Sequence, residues 1–210
     1  MIDSREKISG ADVADHYDEL DRFYREIWGE HVHHGLWLRG EESRELAVRQ
    51  LVELVAREAR IGQGTRACDI GCGYGATARM LAEERGADVT GVTISRAQYE
   101  IAIERSTGKT NPRFFLQDWL HNDLPGESFD AAFAIESSEH MADKAAFFAQ
   151  AHRVLKPGSR LVVCAWLSRE APTPKQRRWL LEPICREGRM PSLGSESEYR
   201  QLALAAGFAG

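Results

Sequence analysis

Residues 68–75 read Cys68-Asp69-Ile70-Gly71-Cys72-Gly73-Tyr74-Gly75, a short apolar strand passing through an acid into three alternating glycines and then a helix-forming stretch. Glycines at 71, 73 and 75 let the backbone bend sharply and approach a ligand that any Cβ would push away. The N–H groups opening the next helix then face that ligand. Asp69 sets its charge: a carboxylate just before the turn repels phosphates and attracts a cationic amine or sulfonium. S-adenosylmethionine carries both cations. The dinucleotide fingerprint needs Gly-x-Gly-x-x-Gly, and here the third glycine comes one residue early, so NAD is the poorer fit. A turn with no ligand is the competing reading, but three glycines and an acid in a tight bend cost stability.

Further polar groups follow the other strand candidates. Thr93-Ile94-Ser95-Arg96-Ala97-Gln98 offers two hydroxyls and an amide for a ribose, while Ser95-x-x-Gln98 is equally a capping box that needs no ligand. Gln117-Asp118-Trp119 places an acceptor beside an indole, suited to the amine and face of adenine, or else a solvated acid beside a core tryptophan. Glu136-Ser137-Ser138-Glu139-His140 supplies an imidazole, neutral enough near pH 7 at an unperturbed pKa of about 6.5 to act as a base. Glu136 and Glu139 are near enough to orient or recharge it; capping of the next helix is the plainer role for His140. His31, His33 and His34 invite a metal reading, but adjacent His33 and His34 point apart in a helix or strand, so no metal is expected. They are read as positioning a lid, with Trp37 and Tyr17 covering the cofactor.

These groups need a scaffold. From residue 66, short apolar runs at 66–70, 88–93, 113–117, 130–135 and 160–165 alternate with helices at about 76–84, 96–105 and 144–155. That alternation predicts an α/β sandwich, a parallel sheet with helices on both faces. Asp143 caps the last of these helices and Lys156-Pro157-Gly158 stops it. Ligands of open parallel sheets bind at the carboxyl ends of the strands, where the motifs lie. Upstream, an amphipathic helix through Val48, Val52 and Val55 and an aromatic-rich one over 12–28 are expected to form an N-terminal lid, residues 1–60. Residues 61–210 form the cofactor-binding core, interrupted by a Pro-punctuated cap insert at about 168–193.

Composition fits one globular domain: 210 residues, 43% hydrophobic and 28% charged. A net charge of −5 disfavours nucleic acid, and the basic run 175–178 reads as a solvated helix face. The four cysteines lack paired metal spacing and read as reduced, hence cytoplasmic. No secretory leader or membrane span is expected.

Together these segments resemble class I S-adenosylmethionine-dependent methyltransferases, and within them the γ-tocopherol and sterol C-methyltransferase group. The particular marks are Ile27-Trp28-Gly29-Glu30-His31-Val32-His33-His34-Gly35, the glycine turn, Val92-Thr93-Ile94-Ser95-x-x-Gln98, Glu136-Ser137-Ser138-Glu139-His140-Met141, Ala165-Trp166, Ile184-Cys185 and Met190-Pro191. The resemblance implies a Rossmann-like class I fold with Asp69, Gly71, Cys72, Gly73 and Gly75 at the methionine amine end. It puts Thr93, Ser95 and Gln98 near the ribose, Asp118 and Trp119 beside the adenine and Tyr17 on the methionine carboxylate, with Ile94, Gln117 and Ile135 also in the cofactor site. Most class I enzymes have an acid where Thr93 stands; the tocopherol, sterol and cyclopropane-forming subgroup does not. Such enzymes also continue past the Ala206-Gly207-Phe208 corner with two strands and a helix that do not follow here. The expected activity is C-methylation of an apolar phenol, quinol or prenyl-derived small molecule, with homo-oligomers an open option. The rivals are O-methylation of a sugar or polyketide hydroxyl and a non-catalytic cofactor binder.

Overall fold

A computed structural model describes residues 1–4 and 7–209. Five parallel strands form the central sheet: β2 (Arg66–Ile70), β3 (Asp88–Thr93), β4 (Arg113–Leu116), β5 (Phe129–Ile135) and β6 (Leu155–Cys164), in the order β4-β3-β2-β5-β6. The chain runs outward from β2 through β3 to β4 and then returns to β5, which pairs with the other side of β2. The switch point therefore lies at the carboxyl ends of β2 and β5, the crevice where open α/β sheets take ligands.

Alternation along the strands makes two cores. Ala67, Val89, Ala131 and Phe133 face one layer, filled by Val52, Val55, Leu81 and Phe114. Cys68, Ile70, Val92, Ala132 and Ala134 face the other, filled by Phe147, Phe148, Val154 and Tyr199. The helices of the first layer include α3 (Arg44–Glu58) and α4 (Ala76–Arg85); α6 (Lys144–Val154) and α9 (Glu196–Ala205) cover the second. The amphipathic helix assigned to the lid is thus a core helix: the valines of α3 pack on the sheet. Burying a valine stabilises by about 1.5–3 kcal/mol, which holds α3 there.

The single helix expected over 12–28 is two, α1 (Gly10–Glu19) and α2 (Asp21–Ile27), joined at Leu20, whose φ of −96° and ψ of 8° leave the helical basin. Ser9 and Asp12 close a capping box at the start of α1. The helix stop at Lys156-Pro157-Gly158 proves to lie inside β6: Leu155 pairs with Phe129 and Arg160 with Ala131, and residues 156–159 bulge between the two pairs. An edge strand tolerates a proline there because one row of its backbone groups needs no partner. The cap insert is mostly helical, with α7 (Pro174–Gln176), a π-helical stretch (Arg177–Leu181) and α8 (Glu182–Glu187). It returns through β7 (Ser192–Leu193), which pairs antiparallel with β1 (Ile2–Asp3), a pairing between the two ends of the chain that no local pattern announces.

Candidate active site

Two cavities meet above the switch point. One, of about 360 Å³, lies between α1 and the carboxyl ends of β2 and β3 and is lined by Tyr17, Gly71, Gly73, Thr93, Gln98 and Trp119, among others. The second, of about 380 Å³, is walled by Tyr17, Tyr24, Trp28, Trp166, Ile184 and Met190, with Glu136, Glu139 and His140 at its floor. Tyr17, Val32, Glu136 and His140 belong to both, so they form the partition across which two bound molecules would touch.

The glycines divide their work. Gly71 (φ 78°) lies under Ser137, whose Cβ would be 2.4 Å from an added side chain and whose hydroxyl donates to the Ile70 carbonyl. Gly75 (φ 72°) lies under the Phe114 ring, also at 2.4 Å, and so serves packing rather than a ligand. At Gly73 (φ 53°) a Cβ would meet only Gln98 at 3.9 Å; this is the glycine that leaves open space. Beside it Asp69 is 3% exposed, and its Oδ2 has no partner. Burial pushes its pKa up to about 8. A recess of about 30 Å³ lies against it, edged by His31, His33 and Thr77. An orphaned carboxylate oxygen at the end of an open cradle is what an ammonium requires, so these residues fit the cationic end of S-adenosylmethionine.

Thr93 and Gln98 line the first cavity and are joined to each other, Thr93 Oγ1 donating to Gln98 Oε1 at 3.2 Å. Ser95 is turned away: it caps α5 (Arg96–Glu104) by accepting from the Gln98 N–H at 3.1 Å and donates to Asp18 of the lid. The cap and Asp18 between them occupy its hydroxyl, and Gln98 does not close the second half of a capping box. Ile94, Gln117 and Ile135 lie in the lining, while Cys72 packs in the first core layer and lines the recess at Asp69. Asp118 lines the cavity but accepts from Leu120 N and His121 Nδ1. Trp119 is a buried core residue whose Nε1 donates to the Phe147 carbonyl at 3.3 Å, and it also borders the cavity. Trp37, expected over the cofactor, is exposed and donates to the Glu42 carbonyl.

The partition is a hydrogen-bonded block. Tyr17 Oη lies 3.0 Å from His140 Nε2, and His140 Nδ1 lies 3.4 Å from the Arg189 carbonyl. A carbonyl only accepts, so Nδ1 carries the hydrogen and Nε2 accepts from the phenol. Tyr17 therefore rests on the histidine. Burial lowers His140 to about 4, well below the unperturbed value expected of a free imidazole, and raises Tyr17 above the ordinary phenol. Glu139, 1% exposed, accepts from Trp166 N at 2.7 Å and Ser138 Oγ at 3.3 Å, and burial raises it to about 7. Lys144 is buried behind it, donating to the Glu139 and Met141 carbonyls, and is lowered to about 8.

Of the three histidines, His31 and His33 stay together and His34 turns away. His33 Nδ1 donates to the His34 carbonyl at 2.7 Å, while its Nε2 lies 3.3 Å from His31 Nδ1 and 3.4 Å from Thr77 Oγ1. Burial lowers both pKa values, that of His31 to about 4. His34 goes the other way, onto Glu136 through its backbone N–H (3.1 Å) and Nδ1 (2.9 Å), with its ring wedged between Trp28 and Trp166. This holds Glu136 at φ 49°, a conformation costing of order 1–3 kcal/mol in a non-glycine residue. No group of three metal-competent side chains occurs among the described residues. Sequence reasoning missed Ser137 and Asp18, because their partners, Gly71 and the start of α5, are distant in the chain.

The chain is similar to known methyltransferases over most of its length. The family model for mycolic acid cyclopropane synthetase matches residues 4–207. The probable chloroplastic tocopherol O-methyltransferase of Oryza sativa subsp. japonica is 32% identical over 209 residues, 91% of this chain and 58% of that protein. The 2-methyl-6-phytyl-1,4-hydroquinone methyltransferase of Synechocystis is 33% identical, over 81% of this chain and 56% of its own length. The chain thus spans under three-fifths of these relatives. The crystal structure of mycolic acid cyclopropane synthase CmaA1, complexed with S-adenosylhomocysteine and CTAB, superposes with a TM-score of 0.81 at 25% identity, covering 98% of this chain and 77% of the other. The chain belongs to the mycolic acid cyclopropane synthetase family of class I S-adenosylmethionine-dependent methyltransferases.

Proposed function

We propose that this chain transfers a methyl group from S-adenosylmethionine to a ring carbon of a phenol or quinol with an apolar, prenyl-derived tail. The observation that carries the reading is the shared partition: a cavity fit for a cationic nucleoside and an aromatic-walled cavity of similar size meet at Tyr17, Glu136 and His140. The cofactor supplies an electrophilic methyl group on a sulfonium. Asp69 and Gly73 would hold its amine end, and Thr93 and Gln98 would lie along the nucleoside. In-line attack needs the acceptor held about 3–3.5 Å from the methyl on the side opposite sulfur, and the aromatic walls supply that positioning.

Attack from carbon is promoted when the acceptor hydroxyl loses its proton. His140 Nε2 presents the lone pair, and the acceptor hydroxyl takes the place that the Tyr17 phenol occupies in the structure. With His140 lowered to about 4 and Glu139 raised to about 7, the carboxylate is the better match for a proton acceptor working near neutrality. Glu139 thus takes the proton on, the recharging role that the sequence suggests for it. The same polar floor suits a hydroxyl attacked at oxygen, the second reading. A compartment that keeps cysteines reduced suits the four that are free in the structure.

The test is incubation with S-adenosylmethionine and a panel of prenylated phenols and hydroquinones, with products analysed by mass spectrometry and NMR. A new ring C–CH₃ signal supports the proposal, an O–CH₃ signal replaces it with the second reading, and cofactor binding with no methylated product in any acceptor defeats both. His140→Ala and Glu139→Gln should each lower turnover by about 10²–10⁴-fold, the usual reach of general acid–base groups, with cofactor affinity changed far less.

A further inference from the structure

The cap insert carries a feature that methyl transfer does not use. Its helical stretch, residues 174–187, is anchored on the inner side by Leu181, Ile184 and Cys185 packing with Met190 and Leu193. On the outer side Trp179 is 69% exposed and Leu180 54%, side by side in the π-helical turn. Lys175, Arg177 and Arg178 are exposed around them, and the Arg178 guanidinium lies 5.2 Å from the centre of the Trp179 ring. Residues 168–193 hold six basic and three acidic side chains in a chain whose net charge is −5. Of the acids, Glu187 is paired with Arg186 at 2.7 Å, Glu170 accepts from Ser197 and Glu182 is likewise engaged, which leaves the Lys175–Arg178 end cationic.

A large indole and a leucine held in water beside three cations are costly for a free surface and well suited to a lipid interface. There the ring sits at headgroup level, the aliphatic side chain enters the acyl region, and the cations meet phosphates. A nucleic-acid footprint would use the cations and leave Leu180 without a role. The inner side of the same helix supplies Ile184 to the aromatic cavity, and five residues from Trp179 to Ile184 is a rise of about 7.5 Å. Trp166, which lines that cavity, is itself 41% exposed.

We infer that the outer face of the insert docks on an anionic phospholipid bilayer, so that a lipid-dissolved acceptor enters the aromatic cavity directly from the membrane. The entry route rests on the acceptor reading above; the docking does not, and it is tested without any methyl transfer. No helix among the described residues is long and apolar enough to cross a membrane, so the contact is peripheral.

The experiment is flotation of the chain with vesicles of pure phosphatidylcholine or of phosphatidylcholine mixed with phosphatidylglycerol, followed by tryptophan fluorescence. Binding to the mixed vesicles with a blue shift, and loss of that binding near 1 M salt where the screening length is about 3 Å, is the expected result. Trp179→Ala with Leu180→Ala should weaken binding at least about tenfold. Arg177→Glu with Arg178→Glu should abolish the preference for anionic lipid, since each cation at such a surface is worth roughly a factor of five. Neither pair touches the site, so turnover of a short-tailed, water-soluble quinol should stay at the wild-type rate. Absence of binding to anionic vesicles at low salt overturns the inference. So does undiminished binding by the Trp179 and Leu180 variant, or self-association through this face in place of vesicle binding. Docking with no methylation of any quinol would uphold the surface and sink only the acceptor reading.

Discussion

At the scale of single residues the decisive group is Asp69. Its pKa of about 8, against about 3.9 in an unfolded chain, means that the unfolded state ionises first. The stability that Asp69 contributes to the ligand-free protein is therefore lost as pH rises from about 4 to about 8. A bound ammonium reverses the sign, since binding then requires the ionised carboxylate. Affinity for S-adenosylhomocysteine should climb up to about tenfold per pH unit from about pH 6 and level off near pH 8. Asp69→Asn should flatten that profile, weaken binding at least about tenfold, and raise the melting temperature of the free protein relative to wild type as pH rises. Calorimetry and thermal scans across this range check all three, and a pH-independent wild-type affinity would remove Asp69 from the amine subsite. The acid before the turn was legible in the sequence. That His140 would be weakened and Glu139 strengthened as bases was not, because both shifts come from burial, which only the folded chain decides.

At the scale of elements, the strand-turn-helix unit β2–α4 shows how one motif serves two ends. Gly73 and Gly75 share a left-handed conformation, so alanine costs both about the same backbone strain, of order 1–3 kcal/mol. Only at 75 does the new methyl collide with Phe114, and overpacking adds about another 1–3 kcal/mol. Gly75→Ala should therefore lose clearly more stability in urea than Gly73→Ala, while Gly73→Ala should lose more cofactor affinity per kcal/mol of stability. Equal effects of the two on both measurements would refute the division of roles. The sequence marks all three glycines alike; which faces a ligand and which faces a phenylalanine depends on β4, some 40 residues downstream. The same holds for Ser95: its capping pattern was visible, but the lid acid that claims its hydroxyl, Asp18, was not.

For the whole molecule, the lid helices α1 and α2 close over the sheet edge through Tyr17 on His140, Asp18 on the α5 start and Asp21 on the Tyr74 hydroxyl. A ligand filling the cavity between lid and sheet binds only the folded chain. At a concentration of 100 Kd it should add about 2.7 kcal/mol, a rise of about 5–10 °C in melting temperature for a chain of this size. Scanning fluorimetry with S-adenosylhomocysteine checks this, and NAD at matched concentration should give no rise. The periodicity of short apolar runs and capped helices determined the parallel sheet, the strand limits of β2 and β3 and the place of the cofactor turn, because these depend on neighbours within a few residues. Tertiary structure alone decided that α3 belongs to the core, that β1 and β7 join the ends of the chain, and that Tyr17 rests on His140. Each depends on groups more than a hundred residues apart or on which face of a helix finds a partner, and local pattern carries no record of either.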